Sequence, residues 1–166
     1  MEKLSSFQPV LPKDPKVLIL GSMPGKQSLQ RQEYYGNPRN QFWDILLTIL
    51  QEPKVIDYTQ KLQVCKKHCL ALWDTVGTCY RAGSLDANIK DETPNDIPSL
   101  LHKYPSIKLI ACNGGKSYQL LNKYFKQEHL AQVDVVKLPS TSPIPGKYTK
   151  RFVDKVEAWK VILKYI

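Results

Sequence analysis

Val17-Leu-Ile-Leu-Gly-Ser-Met-Pro-Gly25 decides how this 166-residue chain is read. Four apolar residues run without interruption and stop at a turn holding two glycines and a proline. An apolar run this short fits a strand covered on both faces. Runs of the same character lie at 69–73, 107–112 and 133–138. Helical spacing fills the gaps between them: Phe42, Ile45, Leu46, Ile49 and Leu50, then Tyr118, Leu121 and Phe125, then Phe152, Val156, Trp159 and Leu163. Strands alternating with helices predict an α/β fold. The expected architecture is a three-layer α/β/α sandwich with a central, mainly parallel four-stranded sheet, in one domain over 1–166. That length buries a sizeable core without metal or disulfide staples.

Open sheets of this kind bind ligands at the carboxyl ends of their strands. The rule selects four post-strand loops, at 21–41, 74–95, 113–117 and 139–147. Residues 91–98 are polar and contain proline, which predicts a surface turn before a helix at 97–103.

Lys and Arg number 24 against 15 Asp and Glu, a net charge of +9 that suits a polyanionic partner as well as it suits a merely solvated basic surface. With 42% apolar and 23% charged residues the chain is globular rather than disordered. No apolar run approaches the ~18 residues of a membrane span. The opening segment MEKLSSFQPV has no hydrophobic h-region. A cytoplasmic protein without a membrane partner is therefore expected. Among Cys65, Cys69, Cys79 and Cys112 there is no CxxC pair, and no His completes a zinc spacing. Cys79 is expected in a loop and Cys112 at the buried end of a strand. Free thiols are expected, with no metal and no cofactor.

The turn Gly21-Ser-Met-Pro-Gly25 has a constrained backbone path, able to aim N–H groups at a ligand oxygen or a water. On its own it reads equally as a sharp strand-to-helix turn, and it is not a GxGxxG or GxxxxGK[ST] motif. Tyr34-Tyr-Gly-Asn-Pro-Arg-Asn-Gln-Phe-Trp43 combines aromatics, amides and an arginine without a regular period. An aromatic face can stack on an extruded base, and an Asn amide can read a base edge. Phe42 and Trp43 are better explained as the start of the next helix's core stripe. Asn113 precedes a Gly-Gly turn, where amide caps are common. Leu138-Pro-Ser-Thr-Ser-Pro143 offers three hydroxyls on a stiff loop, followed by Lys147, Lys150, Arg151 and Lys155.

Together, GSMPG with Ser28-Leu29 and then YYGNPRNQFW resemble the uracil-DNA glycosylase superfamily, nearest its hypoxanthine-DNA (deoxyinosine) glycosylase branch. The resemblance covers nearly the whole chain. It implies a DNA glycosylase that hydrolyses the N-glycosidic bond of a flipped hypoxanthine or uracil, in double- or single-stranded DNA. No positioned Lys nucleophile is evident, so a monofunctional enzyme is expected, acting as a monomer. The resemblance implies catalytic roles for Asn40 and Asn113. The backbone of Ser22, Met23 and Gly25 would line the base and water site, with Gly21 and Pro24 completing the turn. Tyr35 would stack on the base. Asp74 and Ser84 are further pocket candidates from the loop after the second strand. The final loop would hold phosphates through Ser140, Thr141, Ser142, Pro143, Lys147, Lys150 and Arg151, with Ile144 as the wedge replacing the flipped nucleotide. Two positions depart from the pattern. Met23 stands where many relatives outside the branch place an Asn or Asp that holds the water. Asn37 stands where His is common. Met23 keeps open a non-catalytic nucleic-acid-binding module on the same scaffold. An esterase-like use of Ser22 or Ser28 lacks a GxSxG elbow.

Overall fold

The computed structural model describes residues 2–143 and 149–166. The strands are β1 (Lys3–Ser5), β2 (Val17–Gly21), β3 (Leu70–Asp74), β4 (Val76–Tyr80), β5 (Lys90–Pro94), β6 (Leu109–Asn113) and β7 (Asp134–Leu138). The helices are α1 (Lys26–Arg31), α2 (Phe42–Ile49), α3 (Tyr58–Lys67), α4 (Ile97–Lys103), α5 (Gly115–Tyr124) and α6 (Phe152–Trp159). Among the described residues, none of these helices is long and apolar enough to cross a membrane.

The main sheet has the order β3-β2-β6-β7, and every adjacent pair is parallel. Alternation along the strands sorts their side chains into two cores. Val17, Ile19, Leu70, Leu72, Leu109 and Ala111 face Phe42, Trp43 and Ile45 of α2, Cys65 of α3 and Trp159 of α6. Leu18, Leu20, Ala71, Ile110 and Cys112 face Ile97 and Leu101 of α4 and Leu121 of α5. Both faces are covered, which explains why the runs show no polar alternation, and the result is the expected three-layer α/β/α architecture. Helix starts follow local chemistry: Asp57 accepts from Thr59 N at 3.3 Å, and Asp96 accepts from Ser99 N at 3.1 Å.

Four departures from the sequence-based reading matter most; β7 also begins one residue into its run, at Asp134. β3 begins at Leu70, because Cys69 takes a left-handed φ of 60°. β6 begins at Leu109, two residues into its apolar run. The last stripe changes period, because α6 tightens into a 3-10 turn at Lys160–Lys164. That change buries Ile162 beside Trp159 and leaves Leu163 exposed; Phe152, at the start of α6, is exposed as well. The fourth difference is largest. Much of 74–95, expected as a loop with a turn at 91–98, forms a second, antiparallel sheet of order β1-β4-β5. β5 is Lys-Asp-Glu-Thr-Pro and mostly exposed, so it carries no apolar signal. Cys79 accordingly lies inside β4, not in a loop. It is buried with Val76, Ile89 and Leu120 between this small sheet and α5.

Candidate active site

A cavity of about 550 Å³ opens where the four parallel strands end. Strand order reverses between β2 and β6, so connections leave in opposite directions there and open a crevice. β2 delivers Gly21, β3 delivers Asp74, β6 delivers Asn113, and the chain after β7 brings residues 140–143 to the same mouth. The turn 21–25, Tyr35, Asn40 and Ser84 also line it. Side chains separated by over a hundred residues in sequence thus meet in one space.

The turn 21–25 is braced from the second sheet. Ser22 Oγ donates to Asp86 Oδ1 at 2.7 Å, and Lys26 N donates to Ser84 Oγ at 2.9 Å. The buried Arg81 guanidinium donates from Nη2 to the Pro24 carbonyl and from Nε to the Gly83 carbonyl at 3.1 Å. Met23 is 6% exposed and packs with Val76, Cys79, Ile89 and Leu120. Position 23 therefore spends its side chain on the core. Ser28 is also spoken for: it is buried, and its Oγ accepts from Gly36 N at 2.9 Å. With Ser22 bonded to a carboxylate, and no histidine among the described lining residues, the esterase reading loses both of its serines.

Tyr35 adopts a left-handed φ of 55° and stacks on Phe42, with centroids 3.9 Å apart and planes 20° from parallel. One ring face is thus taken by the core. Phe42 and Trp43 are buried, and Trp43 Nε1 donates to the Tyr34 carbonyl at 3.1 Å. Asn40 Oδ1 accepts from Phe42 N at 2.9 Å, tying its amide to the first turn of α2.

Asp74 is 4% exposed, and its Oδ2 has no hydrogen-bond partner among the described residues. Burial, then repulsion from Asp86, pushes its carboxyl up to about 7, while Arg81 opposes the rise. Gly21 makes room for it: a Cβ there would stand 2.5 Å from Asp74 Oδ1 and 3.2 Å from Tyr35 Oη. The Tyr35 hydroxyl is buried without a hydrogen bond to any described residue. Burial and the Asp74 charge push it well above the usual tyrosine range, and the nearby Asn113 amide opposes them.

Asn113 holds the last loop in place. Its Nδ2 donates to Thr141 Oγ1 and its Oδ1 accepts from Thr141 N, both at 3.0 Å. Thr141 is 1% exposed, and its hydroxyl faces Asn113. Ser140 Oγ accepts from Ser142 N at 3.1 Å, and Gln41 N donates to the Thr141 carbonyl at 3.0 Å. Lys150 and Arg151 are exposed, the latter pairing with Asp154 at 3.0 Å. Ile144 and Lys147 lie outside the described residues. Lys155 is a correction: it is buried, burial lowers its pKa, and its Nζ donates to Gln41 Oε1 at 2.8 Å. It braces α2 against α6 and does not reach the surface.

Sequence reasoning passed over Asp86 and Arg81 as site residues. Both are polar residues of a polar loop, and no spacing links them to the distant turn they brace.

The family model described as the uracil DNA glycosylase superfamily matches residues 8–163. A hypoxanthine DNA glycosylase of Methanosarcina barkeri is 39% identical over 116 residues, covering 69% of this chain and 73% of that protein. A protein of the same name from Methanosarcina acetivorans is 32% identical over 162 residues, covering 96% and 97%. A solution NMR structure from Methanosarcina acetivorans, described as a candidate uracil DNA glycosylase, matches with a TM-score of 0.83. It is 30% identical over 98% of each chain.

Proposed function

Because the chain belongs to the uracil DNA glycosylase superfamily, we propose that it is a monofunctional DNA glycosylase for deaminated bases, hypoxanthine first and uracil second. The observation that carries this reading is the convergence of Gly21, Tyr35, Asn40, Asp74 and Asn113 on one cavity of about 550 Å³. That volume falls in the range of small-molecule pockets and suits an extruded nucleobase. The two hypoxanthine DNA glycosylases, 32% and 39% identical, support the choice of base. The net charge of +9 supports a DNA partner.

The reaction is hydrolysis of the bond between C1′ and the base nitrogen. Its electron pair leaves with the base, and water adds to the resulting oxocarbenium-like sugar. Fixed amides and backbone N–H groups stabilise the departing base without changing protonation. In this reading Asn40 takes the base-contacting role. Asn113 acts by holding the loop 140–143, whose Ser140 and Ser142 meet the phosphate backbone with Lys150 and Arg151.

The test is a panel of duplexes and single strands carrying hypoxanthine, uracil, xanthine or a G·T mismatch. Abasic product that breaks only after alkali is expected from hypoxanthine-containing DNA. Binding without base release on every substrate would instead support a non-catalytic nucleic-acid-binding module. Met23, which has no group able to activate water, is the feature favouring that second reading.

A further inference from the structure

Two polar atoms at the end of the cavity are buried without partners among the described residues: Asp74 Oδ2 and Tyr35 Oη. Both side chains crowd the same glycine, since one added carbon on Gly21 would stand 2.5 Å from Asp74 Oδ1 and 3.2 Å from Tyr35 Oη. Buried polar atoms are normally hydrogen-bonded, because an unmade bond leaves the desolvation cost uncompensated. Asp74 also lines the cavity, so its unpartnered carboxyl oxygen is a hydrogen bond for a ligand to complete.

The surroundings decide its ionisation state. Asp86, held by Ser22 on the 3-10 turn Asp86–Asn88, faces Asp74 with like charge. Arg81, following β4, is the opposing cation; its Nη2 and Nε are committed to the Pro24 and Gly83 carbonyls, and its buried Nη1 makes no hydrogen bond to Asp74 or to any other described residue. Tyr34 and Tyr35 face Asp74 from the segment before α2, and both hydroxyls are driven further from ionisation by burial and by that carboxylate. Among the described residues, no neighbouring group makes a hydrogen bond to Asp74 Oδ2 that would repay a negative charge there.

Resting on the glycosylase reading, we propose that Asp74 meets the flipped base as a neutral carboxylic acid. Its hydroxyl donates to a base acceptor, and its other oxygen accepts from a ring N–H. One donor beside one acceptor matches the lactam edge that deaminated bases share. The donated bond strengthens as the glycosidic electron pair moves onto the base, so it favours the transition state over the bound substrate. The proton stays on Asp74. Water adds to C1′ and releases its proton to solvent, and the base anion is protonated from solvent. The carboxyl pushed up to about 7 is consistent with this state near neutrality.

Single-turnover release of hypoxanthine from duplex DNA between pH 5 and 9 tests this, using the wild type, Asp74→Asn and Asp74→Ala. The wild-type rate is expected to fall about tenfold per pH unit above about 7, as the donor ionises. Asp74→Asn keeps a donor and an acceptor that do not titrate. It should lose no more than about tenfold at pH 6 and show no alkaline fall. Asp74→Ala should lose at least a hundredfold at pH 6, in line with removal of one oxyanion-type donor. A flat wild-type profile, an alkaline fall retained in Asp74→Asn, an inactive Asp74→Asn, or an Asp74→Ala as fast as wild type each overturns the proposal. If Asp74→Ala does not fold, carboxyl carbon NMR of the wild type reads the same point. A titration midpoint near 7 supports the proposal, and one near the ordinary Asp value overturns it. Absence of base release by the wild type from every substrate would sink the glycosylase reading and this role with it. Release with a flat profile sinks the role alone.

Discussion

Asn113 and Thr141 exchange two hydrogen bonds of 3.0 Å each, amide to hydroxyl and backbone N–H to amide oxygen. The end of β6 is thereby clamped to the loop after β7. Asn113→Ala deletes both bonds and leaves the buried Thr141 N–H without its acceptor, at about 1–3 kcal/mol. The expected outcome is a lower urea midpoint and at least a tenfold loss in single-turnover cleavage. Thr141→Val keeps the backbone bond and should cost less on both measures. If Asn113→Ala slowed cleavage without any change in the urea midpoint, the clamp would not be its role.

Asn40 carries two functions that one substitution can separate. Its Oδ1 accepts from Phe42 N at 2.9 Å, so Asn40→Ala removes a helix-start bond worth about 1 kcal/mol. Asn40→Asp keeps the acceptor and loses the amide N–H. If Asn40 donates to the base, both variants should lose at least tenfold in cleavage while DNA binding survives, and only Asn40→Ala should melt early. Wild-type cleavage by Asn40→Asp would remove the donor role.

Lys155 and its basic neighbours should behave oppositely in binding. Lys155 is 4% exposed and donates to Gln41 Oε1 at 2.8 Å, so Lys155→Met should lower stability by about 1–2 kcal/mol. Its DNA affinity and salt dependence should match wild type. Lys150→Ala and Arg151→Ala, on the exposed approach to α6, should each reduce the slope of log K against log salt by about 1. Fluorescence anisotropy from 50 to 200 mM salt distinguishes the three. A reduced slope for Lys155→Met would put its ammonium at the phosphates after all.

Most of this scaffold is legible in sequence for one reason. Val17 to Leu20 and their counterparts in β3 and β6 are buried on both faces, so burial writes itself as an unbroken apolar run. The small sheet is hidden for the converse reason: Lys90 to Pro94 pairs through its backbone while its side chains face water. At the site, Tyr35, Asn40 and Asn113 are visible because their neighbours form family motifs. Asp86 and Arg81 are not, because they act through a distant backbone turn and a carboxyl, a relation only the folded chain creates. Lys155 reads as one more surface cation, since its burial depends on how α6 docks against the start of α2.

Gly21 is required for space. A methyl group there would meet Asp74 Oδ1 at 2.5 Å and Tyr35 Oη at 3.2 Å, so the Asp74 carboxyl must shift to admit it. Gly21→Ala should therefore displace the Asp74 carboxyl and cut cleavage at least tenfold. Gly21→Ala combined with Asp74→Ala should recover stability relative to Gly21→Ala alone, because the clash is gone. Additive losses in the double variant would mean that the two positions do not press on each other.

Asp74 also makes folding stability depend on pH, with a sign that can be checked. Its carboxyl rises from 3.8 to about 7 on folding, so the folded state binds the proton more tightly than the unfolded chain. The stability tied to the neutral form is complete below about pH 4. It is lost progressively as pH rises from about 4 to about 7, and the loss is complete above that. At about 1.36 kcal/mol per unit, the loss is at most about 4 kcal/mol. Asp74→Asn has nothing to ionise and should escape it. Urea unfolding of both proteins at pH 4.5 and pH 8 isolates this residue, because every other titrating group is common to the two. The variant should gain on the wild type between the two pH values. Equal changes in both proteins would mean that Asp74 has an ordinary carboxylate's affinity for its proton.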